Sequence, residues 1–249
     1  MLREMGLHLL PPLQAPQLEP AAPAVPAHRA DESVARRAPV SVHTPAGEAA
    51  EPAFEEFALD SLGWDELRAA AEALAGHGDT QRRLVFGSGP RAAEWMVIGD
   101  VPGESEEQQG VPFAGTSGRL MDNMLRAMGL DRERDVYLTN LLKCRPPGDR
   151  NPEPGELAQW EPFLRREVAL VQPRMIVLMG RFAVPRVLQT QEPIGRLRGR
   201  MHAYQGVPVV VTYHPAYLLR NLPDKARAWA DLCLAQAAWA ATQEAASGR

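Results

Sequence analysis

Cysteine is scarce in this sequence, which has only two cysteines in 249 residues, Cys144 and Cys233. The two lie far apart along the chain, and this scarcity excludes a fold held together by a disulfide framework. A cysteine-poor chain without a secretion signal is typical of the reducing cytoplasm, where we expect this protein to reside.

Long hydrophobic runs are also missing. No stretch approaches the roughly 20 apolar residues that a membrane-spanning helix needs. The first residues, MLREMGLHLLPP, include an early glutamate and an apolar run too short for the core of a signal peptide. We therefore expect no membrane segment.

Neither sign of charge dominates, since 27 Lys and Arg oppose 31 Asp and Glu for a net charge of −4. This balance excludes a polycation that attracts nucleic acid through its overall field. Any binding to nucleic acid would need local clusters of Lys and Arg.

The composition divides the chain into a tail, residues 1–53, and a folded domain, residues 54–249. Within the tail, Pro11 to Pro52 is rich in Pro and Ala and has almost no large apolar side chains, so we predict a disordered linker. The preceding Met1–Leu10 contains several apolar residues. It is either a frayed terminus or a short peptide that binds a protein partner.

Short apolar runs alternate with helix-like stretches in the folded domain. The runs are Trp95–Ile98, Val136–Leu138, Met175–Leu178 and Val207–Val211. Helices are predicted at Leu62–Leu74, Ser117–Met128, Glu153–Val171, Arg181–Gln189 and Pro223–Ala240. Continuous apolar character is typical of parallel strands covered on both faces. The pattern predicts an α/β fold, a three-layer α/β/α sandwich around a central, mainly parallel four-stranded sheet.

Unusual residues collect just after these strands, where ligands bind in open α/β sheets. The segments are Gly99–Gly103, Gly110–Gly118, Thr139–Pro147 and His214–Asn221. A nucleotide-binding fold is disfavoured, because Gly99–Gly103 lacks the spacing of a dinucleotide fingerprint and no phosphate-binding Gly-Lys-Ser/Thr loop is present.

In their order and spacing, these four segments resemble the signature blocks of the family-4 uracil-DNA glycosylases, and the similarity extends from about Leu84 to Leu234. The resemblance implies an enzyme that flips uracil out of DNA and hydrolyses its bond to the sugar. We expect a monofunctional enzyme of base-excision repair, since no lysine is obviously suited to Schiff-base chemistry. One departure is Asp100, because the family typically has Glu there; the shorter acid retracts the carboxylate by one methylene.

A second departure concerns the iron–sulfur cluster that family members typically hold with four cysteines. Cys144 keeps one ligand position, but no cysteine precedes it, and the position expected for the last ligand is Trp160. A cluster needs a full set of thiolates. We therefore predict no cluster and no other metal or cofactor, with Trp160 and Cys144 in the core.

The resemblance also assigns substrate-binding residues. Phe113 would stack on the extruded base. Asn140 would recognise uracil with an amide that both donates and accepts hydrogen bonds. Gly99 and Gly103, in the first signature segment, are expected to line the same site.

The implied catalytic residues are Asp100, Glu106 and His214. Asp100 would orient or activate the attacking water and favour a cationic sugar, with Glu106 assisting. His214 would stabilise the negative charge that develops near uracil O2.

Local basic clusters would hold the DNA backbone. They are Lys143, Arg145 and Arg150; Arg196, Arg198 and Arg200; and Arg220. Leu218 or its neighbour Tyr217 would wedge into the gap left by the flipped base, with ordinary core packing as the alternative for each. We expect a monomer that acts on single- or double-stranded DNA.

Two other functions stay open. The change at Asp100 and the missing cysteines are compatible with a catalytically weak module that binds uracil or single-stranded DNA. A glycosylase for another deaminated base also fits, because one asparagine cannot fix specificity.

Overall fold

The computed structural model describes residues 59–76 and 83–247, with side chains described as far as residue 244. The predicted tail, residues 1–53, and its peptide Met1–Leu10 lie outside the described residues and remain predictions. Within the described ranges, no helix is both long enough and apolar enough to cross a bilayer.

Strands β1 (Trp95–Gly99), β2 (Val136–Asn140), β3 (Met175–Met179), β4 (Met201–Tyr204) and β5 (Val207–Thr212) form one sheet in the order β2-β1-β3-β5-β4. All neighbours pair in parallel except β4, which is antiparallel to β5. The predicted α/β architecture is confirmed, but the sheet has five strands where the sequence predicts four.

The additional strand, β4, lacks the signal that identified the others. It lies at the edge of the sheet, and its residues alternate between exposed and half-buried, so it contains no continuous apolar run. A tight hairpin joins β4 to β5 through Gln205 and Gly206, both with left-handed φ of 50° and 79°.

Helices cover both faces of the sheet. On one face lie α1 (Trp64–Ala75), α4 (Pro154–Val171) and α5 (Ala183–Val187), and on the other lie α3 (Gly115–Ala127) and α8 (Asp224–Ser247). Shorter elements sit in the strand-end loops: α2 (Glu104–Gln109), a 3-10 turn (Pro147–Asp149), α6 (Ile194–Leu197) and α7 (Pro215–Arg220).

Alternate side chains of each parallel strand enter two separate cores. In β1, Met96 and Ile98 pack in the first core, and Trp95 and Val97 pack in the second. Because both faces are covered, β1, β2 and β3 are buried along their whole length. This double burial is why they appear in the sequence as uninterrupted apolar runs.

The strand order reverses beside β1, since β2 follows it on one side and β3 lies on the other. In open α/β sheets, a crevice opens at the carboxyl ends of the strands where the order reverses. The loops after β1, β2, β3 and β5 meet at this edge of the sheet, which is where the candidate site lies.

Candidate active site

Phe113 and His214 stack on each other, although 100 residues separate them in the sequence. Their ring centroids are 5.4 Å apart, with an interplanar angle of 22°. Phe113 comes from the loop between α2 and α3 and is 1% exposed, and His214 is the N-cap residue directly before α7. The predicted stacking ring and the predicted imidazole therefore share one site.

The backbone of Phe113 is held in a conformation that aromatic residues rarely adopt. Its φ is 52°, in the left-handed region, which costs about 1–3 kcal/mol. Its N–H donates to Glu106 Oε1 at 2.5 Å, and its carbonyl accepts from Arg132 Nη2 at 3.0 Å. Gly118 also packs against this carbonyl, where a Cβ would lie 1.9 Å from the oxygen. Contacts to the N–H and to the carbonyl of Phe113 thus hold its backbone, and with it the ring, in place.

The buried carboxylate of Glu106 connects several parts of the site. It accepts hydrogen bonds from Gly103 N at 2.8 Å, from Phe113 N and from Asn140 Nδ2 at 3.0 Å. Burial raises the pKa of Glu106, and these hydrogen bonds oppose the rise. Each of these three partners is a donor, so the carboxyl group serves here as an acceptor.

Asn140 ends β2 and is fully buried. Because its Nδ2 donates to Glu106, its Oδ1 must face away from that carboxylate, and Oδ1 has no hydrogen-bond partner among the described residues. Gly99 makes room for this arrangement. A Cβ at position 99 would lie 2.2 Å from Asn140 Oδ1 and 2.7 Å from Phe113 Cζ. Asn140, Phe113 and Gly99 are therefore in direct contact.

His214 presents a hydrogen-bond donor to the same site. Burial, with a contribution from Arg220, lowers the pKa of His214 from 6.5 to about 4, so the imidazole is neutral near pH 7. Its Nδ1 accepts a hydrogen bond from Ala216 N at 3.2 Å, which places the proton of the neutral ring on Nε2. Nε2 is buried and, within the described ranges, has no partner.

Asp100 lies at the same edge of the sheet but is bound by the loop after β3. Its Oδ1 accepts from the N–H groups of Phe182 and Ala183 at 2.9 and 2.8 Å, and its Oδ2 accepts from Arg181 N at 3.0 Å. Burial raises its pKa to about 6 against these hydrogen bonds. In the part of the chain that the structure describes, no hydrogen bond joins Asp100 to the site formed by Phe113, Asn140 and His214.

Lys143 corrects a prediction, because it is not available to contact DNA. Its side chain is 0% exposed and forms an ion pair with Glu167 on α4. The ammonium also donates to Thr139 Oγ1 at 2.6 Å and to the Asn140 carbonyl at 2.8 Å. Reaching a phosphate would require breaking this buried network, so Lys143 is a structural residue.

Two of the arginines proposed to bind DNA are largely engaged within the protein. Arg145 is 20% exposed and pairs with Glu107 and Asp149. Arg198 is 12% exposed, and its Nε donates to Asp231 at 2.7 Å. Their roles in DNA binding stay predictions.

Two other arginines are open to solvent. Arg200 is half exposed and pairs with Glu192, and Arg220, at the end of α7, is exposed. Arg220 is also close enough to contribute to the lowered pKa of His214. These two are the better placed candidates for phosphate contacts.

Leu218 is 1% exposed and packs in the core, so the prediction that it wedges into DNA is corrected in favour of its packing alternative. Nearby, Leu219 and Leu222 are 37% and 60% exposed. Tyr217 is half-buried, with its hydroxyl bound to Asp224 at 2.7 Å.

Trp160, at one of the ligand positions that the resemblance implies, offers an indole where an iron–sulfur cluster needs a thiolate. Cys144 and Trp160 are both buried, and the Trp160 ring packs against Phe163 with centroids 5.1 Å apart. Among the described residues, no group of three or more His, Cys, Asp or Glu side chains could hold a metal ion.

Two features of the site have no clear signal in the sequence. Arg132, which binds the Phe113 carbonyl, lies in the charged turn DRERD and resembles a solvated residue. The N–H groups of residues 181–183, which bind Asp100, belong to the backbone and leave no mark in residue identity.

The sequence is similar to those of known proteins across the residues that form this site. Residues 86–234 match the family model of the Uracil DNA glycosylase superfamily. The Type-4 uracil-DNA glycosylase of Saccharolobus solfataricus is 38% identical over 152 residues, covering 57% of this chain and 70% of the relative. The Type-4 uracil-DNA glycosylase of Archaeoglobus fulgidus is 38% identical over 148 residues, covering 56% and 74%. That of Thermotoga maritima is 37% identical over 146 residues, covering 58% and 76%.

Proposed function

The chain belongs to the uracil DNA glycosylase superfamily, and from this membership we propose that it hydrolyses the bond between uracil and deoxyribose in DNA. It is a hydrolytic N-glycosylase, and its substrate is uracil-containing DNA. The relatives named Type-4 uracil-DNA glycosylases support this assignment.

Two buried polar atoms that have no partner in the described part of the chain carry the proposal: the acceptor Asn140 Oδ1 and the donor Nε2–H of His214. Leaving such atoms unsatisfied is costly in a folded protein, and their pairing with a ligand explains why they persist. Uracil offers a matching donor at N3–H and a matching acceptor at its carbonyl oxygen. The Phe113 ring supplies the adjacent flat surface for the base.

The same arrangement favours uracil over cytosine. Glu106 accepts from Asn140 Nδ2 and so keeps Oδ1 turned toward the base. N3 of cytosine is an acceptor and would face this oxygen without a hydrogen bond. Sites that bury polar groups discriminate strongly against analogues that leave those groups unpaired.

His214 stabilises the leaving base in this mechanism. As the glycosidic bond breaks, negative charge develops on uracil and spreads to its carbonyl oxygens. A neutral imidazole with a fixed Nε2–H can donate to this charge more strongly than to the ground-state carbonyl. The lowered pKa of His214, about 4, keeps the ring neutral through the reaction at pH 7.

We assign to Asp100 the role of holding the attacking water and favouring positive charge on the sugar. The residue is half-buried, and its Oδ2 accepts one backbone hydrogen bond, which leaves a lone pair for water. A pKa of about 6 leaves the carboxylate ionised at pH 7. Its position at the carboxyl end of β1 supports this role.

The enzyme would be monofunctional and act in base-excision repair, leaving an abasic site. Strand cleavage through a Schiff base needs an accessible amine at the sugar. The sequence has only two lysines, Lys143 and Lys225. Lys143 is enclosed in its ion pair with Glu167, and Lys225 lies on the surface of α8.

DNA would be held from the α7 side of the site. Arg220 and Arg200 offer exposed charges, and exposed Leu219 or Leu222 would enter the gap left by the extruded nucleotide. Leu219 lies five residues after His214, near the end of the short helix α7 that His214 caps.

We also propose that the enzyme works without an iron–sulfur cluster. The scarcity of cysteine and the buried indole of Trp160 support this. Purified protein should be colourless and free of stoichiometric iron, and Cys144→Ala should keep its glycosylase activity. Brown protein with bound iron, or activity lost together with iron in Cys144→Ala, would contradict the proposal.

The deciding experiment uses the full chain and a labelled single-stranded oligonucleotide containing one uracil. We expect free uracil to be released and the strand to break only after alkali treatment. Binding without any product at enzyme excess would instead indicate the non-catalytic module. Parallel oligonucleotides with hypoxanthine in place of uracil test the alternative base specificity.

A further inference from the structure

Arg132 is an unexpected neighbour of the site. It lies 19 residues after Phe113, in the turn between α3 and β2, and the surrounding acids and bases suggest a solvated surface. Its side chain is nevertheless only 26% exposed. The neighbouring Arg134, by comparison, is 76% exposed, and its closest carboxylate oxygens are 3.9 Å away.

The guanidinium of Arg132 contacts both α3 and the loop that precedes this helix. Its Nη2 donates to the carbonyl of Phe113 at 3.0 Å. Its Nε forms an ion pair at 2.9 Å with Oδ1 of Asp122, in the middle of α3, in a geometry that is not a hydrogen bond. Arg132 therefore connects the middle of α3 to Phe113, which lies two residues before the start of this helix.

This contact acts on a backbone that would otherwise relax. Phe113 has a φ of 52°, and its peptide N–H and carbonyl are bound by Glu106 and Arg132 respectively. If either contact is removed, the peptide group can rotate toward an ordinary φ. Such a rotation would swing the ring away from His214 and from any base stacked beside it.

We propose that Arg132 is a positioning residue that holds the Phe113 ring in place for the substrate base. The proposal rests on the proposed function of the site and adds a residue outside its contact surface. Arg132 acts only through the Phe113 carbonyl, so its removal should weaken base binding rather than the chemistry at the sugar.

The first test compares Arg132→Met with Arg134→Met as the matched control in the full chain. We expect kcat/KM on the uracil oligonucleotide to fall by about 10- to 100-fold in Arg132→Met, and the inhibition constant of free uracil to rise by a similar factor. Arg132→Lys should be intermediate, because one ammonium cannot serve both partners. Arg134→Met should stay within about twofold of the parent. Equal activity of Arg132→Met and Arg134→Met would overturn the proposal.

The second test distinguishes positioning from general destabilisation. In a Phe113→Leu background, Arg132→Met should change kcat/KM by less than about twofold, since the ring that it positions is gone. A structural role unrelated to Phe113 would give the same fold-loss in both backgrounds. If the losses in kcat/KM from Arg132→Met and Phe113→Leu multiply in this way, the proposal is overturned.

A third readout does not depend on activity. Hydrogen exchange of the peptide covering residues 110–118 should be about tenfold faster in Arg132→Met and unchanged in Arg134→Met. If the parent protein releases no uracil, the proposed function fails, and the exchange experiment still decides the role of Arg132. Unchanged exchange in Arg132→Met would reject that role whatever the activity.

Discussion

A side-chain hydrogen bond of 3.0 Å joins Asn140 Nδ2 to Glu106 Oε1 across 34 residues of sequence. This contact decides which end of the amide faces the site. In the proposed mechanism, Glu106 influences which base is bound without contacting it, because Glu106 orients the Asn140 amide that contacts the base. Base selectivity in this mechanism therefore depends on a buried acid that does not contact the base.

Glu106→Gln should reduce this control. A glutamine amide presents a donor where the carboxylate accepts from Gly103, Phe113 and Asn140, so at least one contact becomes donor against donor. We expect kcat/KM for uracil to fall by about tenfold or more, consistent with a strong charge-assisted contact being lost. Steady-state assays of Glu106→Gln beside Glu104→Gln, an exposed glutamate in the same helix, measure this. Equal effects of the two substitutions would contradict the assigned role.

His214→Ala should lower kcat with little change in KM. The imidazole is proposed to interact mainly with charge that develops in the transition state, and removing one such donor typically costs about 100- to 1,000-fold in kcat. His202→Ala is the control, because that ring lies on β4 and contacts the Leu197 carbonyl at 2.7 Å. Single-turnover kinetics would measure both. A KM effect without a kcat effect would show that His214 only binds.

Asp100 and His214 should affect stability in opposite directions as pH changes. The pKa of Asp100 is raised from 3.8 to about 6. The protonated group therefore adds to the free energy of unfolding below pH 3.8, and this stabilisation is lost as pH rises through 6. The pKa of His214 is lowered from 6.5 to about 4, so its contribution is present above 6.5 and lost as pH falls through 4.

Relative to the parent protein, Asp100→Asn should therefore gain stability as pH rises from about 4 to about 6. His214→Gln should lose relative stability as pH rises from about 4 to about 6.5. Urea unfolding of the three proteins at several pH values within this window gives the two differences. Differences with the same sign of slope would show that one of the two pKa shifts has the wrong direction.

Lys143→Met should destabilise the fold rather than weaken DNA binding directly. It leaves the carboxylate of Glu167 buried without its cation, and breaking a buried pair in this way costs about 3–5 kcal/mol. The double variant Lys143→Met with Glu167→Leu should recover part of this loss, because no unpaired charge remains. Urea unfolding measures the free energies. A loss below about 1 kcal/mol in the single variant would be typical of a surface pair instead.

Arg220→Ala should weaken binding to DNA in a salt-dependent way. If Arg220 contacts one phosphate, the slope of log K against log salt concentration should decrease in magnitude by about 1, whatever the DNA sequence. Fluorescence anisotropy over a salt series measures the slope, with exposed Arg119→Ala on α3 as the control. An unchanged slope would remove Arg220 from the DNA contacts.

The sequence predicts much of this fold because double burial leaves a direct trace. The runs around Val97, Leu138, Val177 and Val210 are continuous since helices cover both faces of their strands. The edge strand β4 escapes prediction for the opposite reason. Its outer edge has no neighbouring strand and its side chains alternate in exposure, so a short polar hairpin resembles a loop.

Site residues were identifiable where a distinctive residue type follows a strand, as at Asn140 and His214. Burial was harder to predict. The sequence around Lys143 is typical of a surface cation, and the ion pair with the distant Glu167 makes its full burial tolerable. Leu218 and Leu219 are chemically identical, and the direction in which α7 packs decides which one is exposed.

The loops after β1 and β3 are interdependent at a single point. Gly180 has a φ of 115°, and a Cβ there would lie 2.5 Å from the Asp100 side chain, in space that the carboxylate already occupies. A side chain at position 180 would therefore require the Asp100 side chain to move. A chimera that imports one of these segments from a relative with glutamate in the first would have to import both, because the longer acid would extend past the backbone N–H groups that hold Asp100.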